Sequence, residues 1–144
     1  MLFVLEYIIY INTLKLSGTG IEGIGFAIPS KGFKSLLSSY VTNINYKIPY
    51  LGVYGYDSEI ANYYGNTPMQ SGFYIIDIAE NSPLKDLEIE NRAVITSLNG
   101  KEIKNTLDLK EALYSLNADD VVEIEYYSAR KLFKTKTKLN KILI

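Results

Sequence analysis

The chain has 144 residues, 47% hydrophobic and 22% charged, which is the composition of a folded globular unit rather than a disordered one. Its formal net charge is −1, so no overall basic field invites nucleic acid. Cysteine and histidine are both absent, which removes a disulfide framework, a thiolate nucleophile, the commonest base near neutral pH and the commonest metal ligand.

Residues 1–12 (MLFVLEYIIYIN) form an apolar run too short for a membrane-spanning helix, which needs roughly 20 residues. They also lack the basic start of an export signal, and residues 3–11 read as a buried strand. Three glycines in 16–23 predict a turn, and 24–28 a second strand stopped by Pro29. Ser30 is placed to cap a helix whose apolar stripe is Phe33, Leu36, Leu37, Tyr40, Val41 and Ile44, ending near Asn45. Residues 43–49 read as a linker closed by Pro49.

Beyond the linker, 50–54 predicts a strand, 57–64 a loop or short helix, 65–72 polar turn material and 72–78 a strong strand. Ser82-Pro83 opens a short helix through Leu87. Strands 94–98 and 101–103 flank Asn99-Gly100, the strongest hairpin dipeptide in the chain. An amphipathic helix at 107–116 carries Leu109, Ala112, Leu113 and Leu116, and strands 121–127 and 133–139 follow. The second half therefore reads as a small mainly β unit with two helices, a β-sandwich or partly open barrel.

Two sets of residues carry a family resemblance. Ile11-Asn12-Thr13 with Gly23-Ile24-Gly25-Phe26-Ala27-Ile28-Pro29-Ser30 resembles the last two strands of the HtrA protease domain, a chymotrypsin-like β-barrel followed by a C-terminal helix. Tyr50-Leu51-Gly52-Val53, then AENSP at 79–83, then VITSLNG at 94–100 and the helix after it, resemble a PDZ domain. The resemblance implies a truncated end of a trypsin-like protease domain at 1–45 and a PDZ domain at 46–144. Catalysis does not carry over, because the family's His, Asp and Gly-Asn-Ser-Gly-Gly turn have no counterpart here. No catalytic residue, metal ligand or cofactor is expected. The family usually works outside the cytoplasm, but the chain carries no recognisable address.

A PDZ domain adds an incoming C-terminal peptide as an extra strand and holds its carboxylate on backbone N–H groups. The resemblance places that loop at Tyr50, Leu51, Gly52 and Val53, with Tyr54 on the pairing strand and Leu109, Ala112 and Leu113 on the opposite wall. From composition alone, Leu51-Gly52 is an ordinary strand start and the leucines are core. The implied partners are C-terminal or extended peptides of unfolded proteins. A second reading makes the chain part of a serine endopeptidase completed by an upstream-encoded segment, acting in protein quality control. A third pairs the exposed barrel strands between copies as a homo-oligomer.

Three turns depart from the family pattern: Arg92-Ala93, Asp119 and Ser128-Ala129-Arg130 stand where glycines are usual. If positive φ is needed there, each side chain costs on the order of 1 kcal/mol. Gly18-Thr19-Gly20-Ile21-Glu22-Gly23 matches a dinucleotide-binding fingerprint literally, but a strand follows it instead of the helix that would face the phosphates. Lys134, Lys136 and Lys138 read as protection of a strand edge rather than a nucleic-acid patch. Asp119-Asp120, Glu88 and Glu90 lack a hard-cation loop pattern.

Overall fold

The computed structural model describes residues 10–18, 21–63, 70–87, 89–90 and 92–142. Residues 3–9 of the first expected strand lie outside that set. Strands β1 (Tyr10–Gly18) and β2 (Ile21–Pro29) pair antiparallel as a two-stranded sheet. The strands run through most of the glycine-rich stretch expected as a turn over 16–23, and residues 19–20 of it lie outside the described residues.

Ser30 does not cap the next helix. Residues Ser30–Gly32 form a single 3-10 turn, the Ser30 carbonyl accepts the Phe33 N–H (3.2 Å), and α1 (Lys34–Thr42) starts after Phe33 with no side-chain cap. The expected apolar stripe is present but not buried: Val41 is 79% and Ile44 92% exposed. Among the described elements, α1 packs mainly on α3 (Thr106–Tyr114), and polar contacts hold it there. Lys31 pairs with Asp108, and the Ser39 hydroxyl donates to the Tyr114 carbonyl (2.9 Å).

The second half is a mainly β unit built on one twisted sheet. After β3 (Pro49–Tyr50), β4 (Val53–Asp57) is followed by α2 (Ser58–Tyr63), β5 (Phe73–Ile78), β6 (Val94–Leu98) and the short β7 (Lys101–Glu102). After α3 come β8 (Val121–Ser128), β9 (Lys131–Lys138) and β10 (Asn140–Lys141), the last pairing with β3. The sheet order is β4-β5-β6-β8-β9, with β7 beside β6. The expected strand over 50–54 is broken at Leu51-Gly52, which separates β3 from β4 and lets the chain change sheets.

Alternation sets the two faces of this sheet. In β8, Val122, Ile124 and Tyr126 point inward, meeting Ile75, Ile95, Leu98, Leu139 and, from α3, Leu109 and Ala112 in the core. Glu123 and Glu125 point out and pair with Lys134 at 3.3 and 2.7 Å. Because β9 is the last strand of the sheet, its lysines also line an edge where further strand pairing is discouraged.

Turn chemistry is uneven. Asn99 (φ 49°) and Gly100 (φ 77°) form the tight turn between β6 and β7 with residues suited to positive φ. Ala129 (φ 47°) and Arg130 (φ 65°) adopt the same signs between β8 and β9 without that advantage, and Arg92 (φ 73°) and Asp119 (φ 74°) are likewise left-handed. Replacing Ala129-Arg130 by Asn-Gly is expected to raise the unfolding free energy by about 1–2 kcal/mol. Urea denaturation checks this, and an unchanged midpoint would show that the turn carries no strain.

Candidate functional site

A cavity of about 340 Å³ opens between β4 and α3. Its floor and walls include Leu51, Gly52, Val53, Tyr54, Phe73, Leu109, Leu113 and Tyr114. β4 ends the sheet, so among the described strands nothing pairs with its outer side. Of the residues expected to form the site, Tyr50, Leu51, Gly52, Val53, Tyr54, Leu109 and Leu113 surround this one space. Ala112 does not: it faces the sheet, 5% exposed in the core, because it lies one helical position off the stripe that looks into the cavity.

Backbone hydrogen bonds fix the loop that closes the cavity. The Ser82 hydroxyl donates to the Leu51 carbonyl (2.7 Å) and accepts the Leu84 N–H (3.0 Å), and the Ala79 N–H donates to the Gly52 carbonyl (2.9 Å). Both carbonyls are thus tied to the segment 79–82. In a trans peptide the N–H of the next residue points opposite to the carbonyl, so the Gly52 and Val53 amides point away from that segment. The Ala79–Gly52 bond also makes Val53 and Ile78 a non-hydrogen-bonded pair. The N–H and C=O of Val53 therefore face the free edge of β4.

Gly52 is required twice over. Its φ is +67°, and a Cβ there would lie 2.8 Å from the Cβ of Ser82. At the groove's other end, the Asp57 carboxylate accepts both the N–H and the hydroxyl of Thr106, joining the end of β4 to the start of α3. Asn105 caps α3 by accepting the Asp108 N–H (2.9 Å). The helix consequently runs antiparallel to β4, with its last residue beside the 46–50 segment, where the Tyr46 hydroxyl donates to the Tyr114 carbonyl (2.9 Å).

Charge around the groove is sparse. Burial, and then the adjacent Tyr54 hydroxyl, push the Tyr50 phenol above its ordinary value, so it stays a neutral hydroxyl. Burial opposes ionisation of Asp108, yet the Lys31 ammonium and the Lys104 amide together hold its carboxyl below the usual value. Neither member of that ion pair lines the cavity. Asp119 pairs with Lys138 (3.1 Å), and Asp120 accepts the Asn117 N–H (2.8 Å), so this acidic pair serves its turn.

Ser82 was legible in the sequence only as a helix opener, whereas here it anchors the loop. Sequence reading also missed Pro49, Phe73, Thr106, Lys110, Tyr114 and Ile142 as lining residues, since each is brought to the cavity by tertiary packing. Ser82→Ala is expected to leave the Leu51 carbonyl without its partner and to cost about 1–3 kcal/mol of stability. Thermal and urea unfolding measure it, and a neutral result would mean another donor replaces the hydroxyl.

Comparison with known proteins gives the family and the fold. The PDZ domain family model matches residues 49–139. Serine protease Do-like HtrB of Bacillus subtilis (strain 168) is 34% identical over 91% of the chain and 30% of its own length. Serine protease Do-like HtrA of the same organism is 32% identical over 92% of the chain and 32% of its own length. The chain thus spans about a third of the length of these curated relatives. Among solved structures, HtrA-type protease AlgW with decapeptide superposes with a TM-score of 0.62 at 19% identity, covering 94% of this chain and 42% of that one, a likeness of fold. With its groove, its loop and its sequence in agreement, the chain belongs to the PDZ domain family, in the form carried by HtrA-type serine proteases.

Proposed function

We propose that this chain binds the free carboxyl end of extended peptides in the groove between β4 and α3. One observation carries the reading: the Leu51 and Gly52 carbonyls are tied to Ser82 and Ala79, which turns the following two amides away from that segment. Two such N–H groups suit a terminal carboxylate, and the outward N–H and C=O of Val53 suit the backbone of an added strand. Leu51, Val53, Leu109 and Leu113 supply an apolar pocket for the last side chain. Partners of this kind are exposed or unfolded chain ends. The decapeptide named with the AlgW structure supports the class of ligand.

Titration of labelled free-carboxylate peptides by fluorescence anisotropy, each beside its C-terminally amidated twin, tests this. The free forms are expected to bind about tenfold or more tightly than the amides, as losing a charge-assisted pair of hydrogen bonds requires. Equal binding of the two forms would remove the carboxylate from the account.

A second reading is favoured by the extent of the protease alignments, which cover 91% and 92% of the chain and so reach beyond residues 49–139. In it, residues 1–45 are the end of a protease barrel and 46–144 the PDZ domain, and together they complete a serine endopeptidase whose catalytic segment is encoded upstream. With no histidine in its sequence, the chain alone has no imidazole base. Upstream DNA encoding the missing triad supports this reading, and unrelated DNA there defeats it.

A further inference from the structure

The sheet holds a second cavity, of about 350 Å³, on the face turned from the core, and it shares no lining residue with the groove between β4 and α3. Cross-strand register builds it. Ser97 of β6 stands opposite Glu102 of β7 on one side and Glu125 of β8 on the other, so three side chains form one row on a single face. All three line the cavity, as do Tyr127 and Leu132, which stand opposite each other on β8 and β9. An irregularity in β6 between Ile95 and Ser97 sets the row. Without it, Thr96 would oppose Glu125.

The middle of the row is buried and unpaired. Ser97 is 9% exposed, yet its hydroxyl makes no hydrogen bond to another described residue, whereas the neighbouring Thr96 hydroxyl donates to the Glu125 carbonyl (3.3 Å). No fully enclosed side-chain atom among the described residues lacks a partner, so the Ser97 hydroxyl opens into the cavity that it lines. The charged residues lining that space are Glu102 and Glu125, with no cation beside them. Lys134 reaches Glu125 from the far side, at 2.7 Å, and Lys104 meets Glu102 at 3.3 Å in an exposed pair that contributes little. Each carboxylate can accept several hydrogen bonds, so neither is saturated.

We propose that this row is a second binding site, for a guanidinium group. Residues directly opposite each other lie about 5 Å apart at Cβ, so the two glutamates start about 10 Å apart with Ser97 between them. A planar guanidinium above Ser97 can donate to both carboxylates and to the hydroxyl, and it gives up water more readily than an ammonium does. The Tyr127 ring lining the same space suits the face of that cation. The site stands independently of any carboxylate held at Leu51–Gly52.

The test titrates the isotope-labelled full chain with N-acetyl-arginine amide, which brings no carboxylate to the groove, and with its lysine and citrulline counterparts. Amide resonances of Ser97, Glu102 and Glu125 are expected to shift, with arginine binding about tenfold more tightly than citrulline and about threefold more tightly than lysine. Glu102→Gln and Glu125→Gln are each expected to weaken arginine binding about fivefold. Ser97→Ala should weaken it about threefold and leave the urea midpoint unchanged, because the lost hydroxyl holds nothing in the fold. A doubly capped peptide with one arginine among glycines separates the sources: binding tighter than the amino-acid derivative assigns the site to an arginine of a partner protein, and otherwise to a small guanidine compound. Equal binding of arginine and citrulline, shifts confined to other residues, or glutamine variants that bind as the parent does would overturn the site. Equal binding of arginine and lysine would overturn its choice of guanidinium.

Discussion

Gly55→Ala is expected to lower the unfolding free energy by about 3 kcal/mol or more. A Cβ built on Gly55 would sit 1.9 Å from the Tyr74 carbonyl oxygen and 2.9 Å from the Phe73 ring. Neither neighbour can yield easily: Tyr74 is paired on both sides, to Tyr56 and to Val94, and Phe73 is 4% exposed in the core. β4 must instead leave β5 near its irregularity at Tyr54/Gly55, losing the stacked Tyr56–Tyr74 rings at 5.9 Å. Gly100→Ala is the control. Its φ of +77° is left-handed but its Cβ meets nothing within 4 Å, so only the backbone cost of about 1 kcal/mol remains. Urea unfolding of the two variants separates clash from conformation, and equal losses would refute the close approach of β5.

Gly52→Ala is expected to weaken binding of a free-carboxylate peptide by about tenfold or more, while costing stability only about 1–2 kcal/mol. The new methyl would lie 2.8 Å from the Ser82 Cβ, 3.0 Å from its Cα and 3.0 Å from a Tyr50 ring carbon. Ser82 is pinned, since its hydroxyl bridges Leu51 and the fully buried Leu84. The loop has to swing outward and take the Gly52 and Val53 amides with it. Hydrogen bonds weaken steeply with misalignment, so a small displacement costs more in binding than in folding. Anisotropy and denaturation on the same sample decide: lost stability with retained affinity would place the carboxylate elsewhere.

Local signals in the sequence were reliable where one dipeptide or one period decides the outcome. Asn99-Gly100 made its hairpin, and the strand read over 121–127 is β8. The missing glycines at Arg92, Asp119 and Ala129-Arg130 did mark positions of positive φ. What failed depended on neighbours. Ser30 looked like a cap, but one 3-10 turn intervenes before α1. The stripe from Phe33 to Ile44 predicted a helix correctly, but periodicity says which face is apolar and not what covers it. In α3, Leu109 lies in the core and also lines the cavity, Leu113 lines the cavity, and Ala112 lies in the core alone, a distinction set by how the helix is rotated against the sheet. The roles of Ser82 and Asp57 arise from contacts 31 and 49 residues away in sequence, beyond any local pattern.

The carbonyl at the end of α3 receives hydroxyls from Ser39 and Tyr46, and Asp108 receives the ammonium of Lys31. All three donors precede residue 49, where the family match begins. A fragment trimmed to residues 49–139 would keep every cavity-lining residue but Ile142 and discard the fastenings behind the wall that α3 forms. If the groove takes a peptide as proposed, the smallest piece that does so as the whole chain does is accordingly longer than the piece that its family shares.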